Sequence, residues 1–165
     1  MALRERLRVD RLSAEAQRDL FISRYAPEIA AQAHEVLGRM RALLPGALEL
    51  VYDNYNAVAI GFGPTEKAGE AIFSIALFPR WVSLFFLRGV GLPDPHGLLC
   101  GSGGQVRHIV LKQAEMLEDP RMRALMEEAL LRAATPLDPE EPHRVVIKSI
   151  SQKPRPRRPG EASGQ

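Results

Sequence analysis

The sequence predicts an α+β fold: a single domain built on an antiparallel meander sheet of five or six strands, with helices packed mainly on one face. Three observations point there. Helical apolar periodicity is concentrated in residues 27–44 and 120–134, on either side of a long region of period two. Between them, residues 47–111 hold strand-length apolar runs punctuated by Asp53-Asn54, Gly63-Pro64 and Pro79-Arg80. A chain of 165 residues, 45% hydrophobic and 25% charged, can bury a core without metal or disulfide staples.

The elements follow in order. Residues 1–12 are Arg-rich with thin apolar periodicity and are expected to be a flexible N-terminal segment. Ser13 is an N-cap for a short helix running to about Tyr25. Pro27 suits the first turn of the next helix, whose stripe is Ile29, Ala33, Val36, Leu37, Met40, Leu43 and Leu44, ended by Pro45-Gly46. Leu48, Leu50 and Tyr52 then alternate with Glu49 and Asp53, and Val58, Ile60 and Phe62 complete a hairpin. Glu70 to Phe78 and Trp81 to Arg88 form a second hairpin about Pro79-Arg80, apolar on both sides and so expected to be central and covered on both faces. Gly89 to Gly104 is a long loop, and Gln105 to Leu111 is a fifth strand. Asp119-Pro120 opens the last helix, with its stripe from Met122 to Ala133. Residues 13–136 are thus the domain. Residues 137–151 are a linker ending in a strand-like run able to pair at a sheet edge, and 152–165 are a disordered basic tail.

Charge is unevenly spread. From Arg144 onward six cations face Glu161 alone, a net +5, which leaves residues 1–143 at −3 within the overall +2. Apolar runs stop far short of the ~20 residues of a membrane helix. The N-terminus carries charge every second or third residue, unlike a signal peptide, and the single cysteine excludes an internal disulfide or a multi-cysteine zinc site. The expectation is a cytoplasmic protein with no membrane contact.

The segment Ala42-Leu-Leu-Pro-Gly-Ala-Leu-Glu-Leu-Val-Tyr52, the apolar strands around Pro79-Arg80, the Gly101-Ser102-Gly103 loop and the Asp119-Pro120 helix stand in an order that resembles the YdhG-like (YdhG/YdeI-type) domain family over residues 15–135. Where that family usually carries Tyr-Gly-Met-Pro, this chain has Tyr52-Asp53-Asn54-Tyr55-Asn56. The resemblance implies an α+β domain largely of unknown function, with a frataxin-like iron chaperone in one branch.

Several constellations invite chemistry. Tyr52, Asp53, Asn54, Tyr55 and Asn56 put five hydrogen-bonding side chains in one turn; they can orient a polar ligand or simply satisfy turn geometry. Arg80 beside Trp81, with Arg88 at the end of that strand, can stack on a planar or anionic ligand or on each other. The Gly101–Gly104 loop, including Ser102 and followed by Arg107 and His108, lacks both phosphate-loop patterns, and a glycine-rich entry into a strand explains it equally. Cys100 would need a base such as His108 to act as a nucleophile. His34, His96, His108 and His143 lack metal-ligand spacing, and the acidic residues of the first helices interleave with arginines, so no metal or cofactor is expected. Lys153, Arg155, Arg157 and Arg158 can touch phosphates or an acidic partner.

These readings predict a small cytoplasmic binding or accessory protein without catalytic residues. Its site is a groove bounded by the Tyr52–Asn56 turn, Arg80-Trp81 and the Gly101–Gly104 loop. The partner is an unidentified small ligand, a protein or a second copy. The alternatives are a small enzyme working near Asp53, Cys100 or His108, a frataxin-like iron chaperone, and a nucleic-acid adaptor acting through the tail.

Overall fold

Caps and prolines place the helices. The computed structural model describes residues 2–160, and Leu3–Asp10 (α1) is helical where the sequence suggested a flexible segment. The Ser13 hydroxyl accepts from the Ala16 amide at 3.1 Å and opens Ala14–Ser23 (α2). Pro27 occupies the first turn of Pro27–Leu43 (α3), where its missing N–H has no cost. Gly46, at φ 87°, turns the chain out of α3; a Cβ there would come within 1.9 Å of the Asp138 carbonyl oxygen. Only glycine fits that position.

The sheet is a meander with one addition. Leu48–Asp53 (β1), Val58–Gly63 (β2), Phe73–Leu77 (β3), Val82–Phe86 (β4) and Arg107–Leu111 (β5) pair antiparallel with their sequence neighbours. Pro120–Leu131 (α4), capped by Asp119, follows, and the chain then returns as Val145–Ile150 (β6). β6 pairs parallel to β1, so the strand order is β5-β4-β3-β2-β1-β6 and the sheet is mixed. The strand-like run at 145–150 does occupy a sheet edge. The second hairpin is shorter than its apolar runs, because residues 68–70 form a 3₁₀ turn.

Register sorts the side chains into two faces. The inner face carries Val51, Ile60, Ile75, Leu84 and Ile109 in one row, with Val58, Leu77, Val82 and Leu111 in the next. Every strand residue in the core shared with α2, α3 and α4 belongs to this face. A one-residue slip would replace Ile60, Ile75 and Leu84 by Ala59, Ala76 and Ser83, forfeiting about 1.5–3 kcal/mol per lost burial, so the register is strongly specified.

β1 reverses the polarity its alternation suggests. Leu48, Leu50 and Tyr52 point outward, and Glu49, Val51 and Asp53 point toward the helices. Over Leu48 and Leu50 the outer face is closed by residues 64–72. A Cβ on Gly63 would lie 2.8 Å from the Ala71 Cα, and Lys148 Nζ donates to the Glu66 carbonyl at 2.8 Å while Arg144 pairs with the Glu66 carboxylate. The outer face over β3, β4 and β5 carries a different set of side chains.

Candidate functional site

On the outer face of β3–β5 small residues form a floor between two aromatic stacks. Ser74 and Ala76 of β3, Ser83 of β4 and Val110 of β5 share this side. At one end, Phe78 and Trp81 close the β3–β4 turn, with the Phe78 amide donating to the Trp81 carbonyl at 2.9 Å and their rings stacked at 4.9 Å. Pro79 at the second turn position presets the required φ. At the other end Phe85 stacks on His108 at 5.2 Å. Trp81 and Phe85 stand four residues apart on one strand face, about 13 Å at 3.3 Å per residue. Ser83 lies midway.

This floor is neither a sealed core nor an ordinary wet surface. Trp81 and Val110 are 42% and 41% exposed, whereas Ser83 and Ser74 are 2% and 9% exposed. The two serines lie beneath the level of the flanking rings. The face combines ring walls with two small polar side chains in the floor.

The structure divides the predicted groove. The Tyr52–Asn56 turn and Arg80-Trp81 lie at the same end of the sheet, where Asp53 pairs with Val58 and Leu77 with Val82. The Gly101–Gly104 loop, with Ser102, lies at the opposite end, because Cys100 bridges His108 and the loop precedes β5. A single site bounded by all three is therefore not formed. Arg107 does not face a groove: its Nη1 donates to the Gly103 and Val106 carbonyls, and its stem lies against Gly89. Arg88 donates to the Gly69 carbonyl at 3.2 Å beside a separate cavity of about 50 Å³ lined by Ile72, Phe86, Ala129 and Arg132. The Trp81 indole stacks on Phe78 rather than on the Arg80 guanidinium. Tyr52 lies on the outer face, and partial burial pushes its phenol pKa up. Asn54 accepts from the Ser149 hydroxyl at 3.0 Å, which ties the turn to β6. Tyr55 and Asn56 are exposed.

Two carboxylates read in the sequence as a polar strand position and a turn residue are fully buried. Glu49 is fully buried: its Oε1 accepts from Arg41 Nη2 at 3.0 Å and Arg18 Nη1 at 3.2 Å, and its Oε2 accepts from Arg41 Nε at 2.7 Å and is shared with His143 Nε2. Burial alone would raise its pKa, but the bonds from Arg41 and His143, with the charges of Arg41 and Arg18, hold it below 4.5. Asp53, also fully buried, accepts from Arg157 Nη2 at 2.9 Å and Arg24 Nη1 at 3.5 Å. Its engagement removes it as a free catalytic base. The available signal was the surplus of arginines in the first helices, read as a solvated surface; Arg18 is in fact 7% exposed.

The C-terminal segment is likewise docked. Arg157 is 3% exposed and donates to the Asn54 carbonyl and to the Tyr55 carbonyl at 3.4 Å. The Arg155 amide donates to the Tyr55 carbonyl at 2.9 Å. Residues 152–160 thus pack on the β1–β2 turn instead of forming a disordered tail, because Asp53 needs a buried cation. Residues 161–165 of the predicted tail lie outside the described residues. Lys153 is exposed.

Cys100 and His108 do come together, as a cross-strand pair with amide–carbonyl bonds of 2.8 and 2.9 Å. The thiol is directed at the Leu98 carbonyl, 3.8 Å away, and the imidazole lies on Phe85, so no activated nucleophile is assembled. Among the described residues, no group of three or more His, Cys, Asp or Glu side chains is placed to hold a metal, and no helix is long and apolar enough to cross a membrane. No family model, no curated protein and no solved structure matches the chain.

Proposed function

We propose that this protein is a cytoplasmic, non-catalytic binding module with a YdhG-like domain, and that its ligand is a flat ring compound bearing an amide, amine or hydroxyl group. The ring lies on the floor of Ala76, Ser83 and Val110 between the Phe78–Trp81 and Phe85–His108 stacks, and its polar group pairs with Ser74 or Ser83. The observation that supports this reading is the placement of Ser83, a small polar residue set midway between two aromatic walls. Ring walls supply most of the affinity of such sites, and a few placed hydroxyls supply the orientation.

Trp81 is the single tryptophan of the chain and reports directly on this face. Titration of the protein with adenosine, nicotinamide, phenylacetamide and indole-3-acetamide, followed by Trp81 fluorescence, tests the reading. Saturable quenching by at least one compound is expected, weakened about 5–30-fold in Ser83→Ala, from the ~1–2 kcal/mol of a lost hydrogen bond. Absence of quenching by all four, or quenching unchanged in Ser83→Ala, would refute it.

A further inference from the structure

We propose that the docked C-terminal segment and the end of α2 form a binding site for the phosphodiester backbone of single-stranded nucleic acid. An open cleft of about 410 Å³ is lined by Arg24, Pro154, Arg155, Pro156, Arg157 and Arg158. Among the described residues, four guanidinium groups and no carboxylate line it; Asp53 lies fully buried and is engaged by Arg157 and Arg24. Arg155 and Arg158 have no carboxylate partner among the described residues, so their charge is available to an anion. The Nε of Arg157 is buried without a partner.

The segment is preorganised in a way a loose basic tail is not. Pro154 and Pro156 hold φ on either side of Arg155. Arg157 is anchored beneath, and Arg158 Nε is held by the Arg24 carbonyl at 3.1 Å. Little side-chain and backbone freedom is left to lose on binding.

The neighbourhood selects a single strand over other phosphate carriers. Tyr55 is 55% exposed, with the Arg155 guanidinium 5.4 Å from its ring centroid, and Arg80 and Trp81 stand at the same end of the sheet. Exposed rings interleaved with arginines suit unpaired bases stacked beside a tracked backbone. Duplex DNA hides its base faces. A membrane site would want apolar side chains to insert, and the cleft offers only prolines. In the adjoining cleft Glu5 is the one carboxylate among the lining residues, which limits the cationic surface to this side of Arg24.

The test is fluorescence anisotropy of a labelled oligothymidylate about 20 nucleotides long, between about 50 and 200 mM salt. Affinity should fall steeply with salt. Arg155→Ala/Arg158→Ala, at exposed positions, should reduce the slope of log K against log salt by about 1.4, at ~0.7 per phosphate on single strands. Tyr55→Ala should weaken binding several-fold with the slope unchanged. Failure to bind at the lowest salt would overturn the proposal, as would an unchanged slope in the double variant. Inorganic phosphate competing at the same concentration of phosphate groups would identify a small-anion site instead. Tighter binding to phosphatidylserine vesicles than to the oligonucleotide would identify a membrane surface.

Discussion

Replacing Arg157 by alanine tests whether the C-terminal segment is part of the folded domain. The side chain is 3% exposed, reaches Asp53 at 2.9 Å, and bonds the carbonyls that turn the chain between β1 and β2. Removing one member of a buried ion pair costs about 3–5 kcal/mol when the other charge is left alone. Here Arg24 stays within 3.5 Å of Asp53, and the open cleft beside it admits water, so the cost falls below that range. We expect a loss of about 2–3 kcal/mol, a fall in the unfolding midpoint of roughly 5–10 °C for a chain of this size. Truncation after residue 151 should cost at least as much, because it also removes the bond from the Arg155 amide to Tyr55 and the contact of Arg158 with α2. Urea and thermal unfolding by circular dichroism measure both. Pairing Arg157→Ala with Asp53→Asn should recover part of the loss, since the buried charge is then gone. If both Arg157→Ala and the truncation stay within about 0.5 kcal/mol of the parent, the segment is not structural and the account of the cleft fails with it.

Acid should act through Glu49. Its folded pKa lies below 4.5, so its stabilising contribution is complete above the unfolded value and is lost as pH falls through the folded one. The urea midpoint of the parent should therefore drop between pH 5 and pH 3 more than that of Glu49→Gln; equal drops would contradict the network. Tyr25→Phe removes a buried hydroxyl that donates to the Leu77 carbonyl at 2.7 Å and accepts from the Val58 amide at 3.1 Å. We expect a loss of about 1–3 kcal/mol and faster hydrogen exchange at Val58; unaltered exchange there would count against the bond. Gly46→Ala meets the Asp138 carbonyl and a positive φ together, whereas Gly104→Ala enters open space. The first should destabilise by more than 2 kcal/mol and the second by less than about 0.5 kcal/mol, and similar values for both would refute the packing at Gly46.

The elements themselves were legible because their signals are local. Ser13, Pro27, Asp119 and Pro120 stand where the helices begin, and period two across residues 47–111 marks the meander. Alternation also identified Val58, Ile60 and Phe62, all of which enter the core. What alternation could not decide is which side of β1 faces the helices. Leu48, Leu50 and Tyr52 read as the buried side, yet Glu49 and Asp53 point inward, because Arg18, Arg24, Arg41 and Arg157 meet them from elements far apart in the chain. A carboxylate looks like a surface residue until its cations are placed, and only the tertiary structure places them.

The same reason explains the site. Whether Tyr55 and Arg80 share a sheet end, and whether Ser102 lies at the opposite one, follows from strand direction and register rather than from spacing along the chain. The basic C-terminal run showed its charge in the sequence. Its order comes from one buried aspartate more than a hundred positions earlier. Composition and periodicity determined which segments become helix or strand, since those depend on near neighbours. Long-range pairing of charge decided which faces are buried, where the terminus lies, and which side chains are left available to bind.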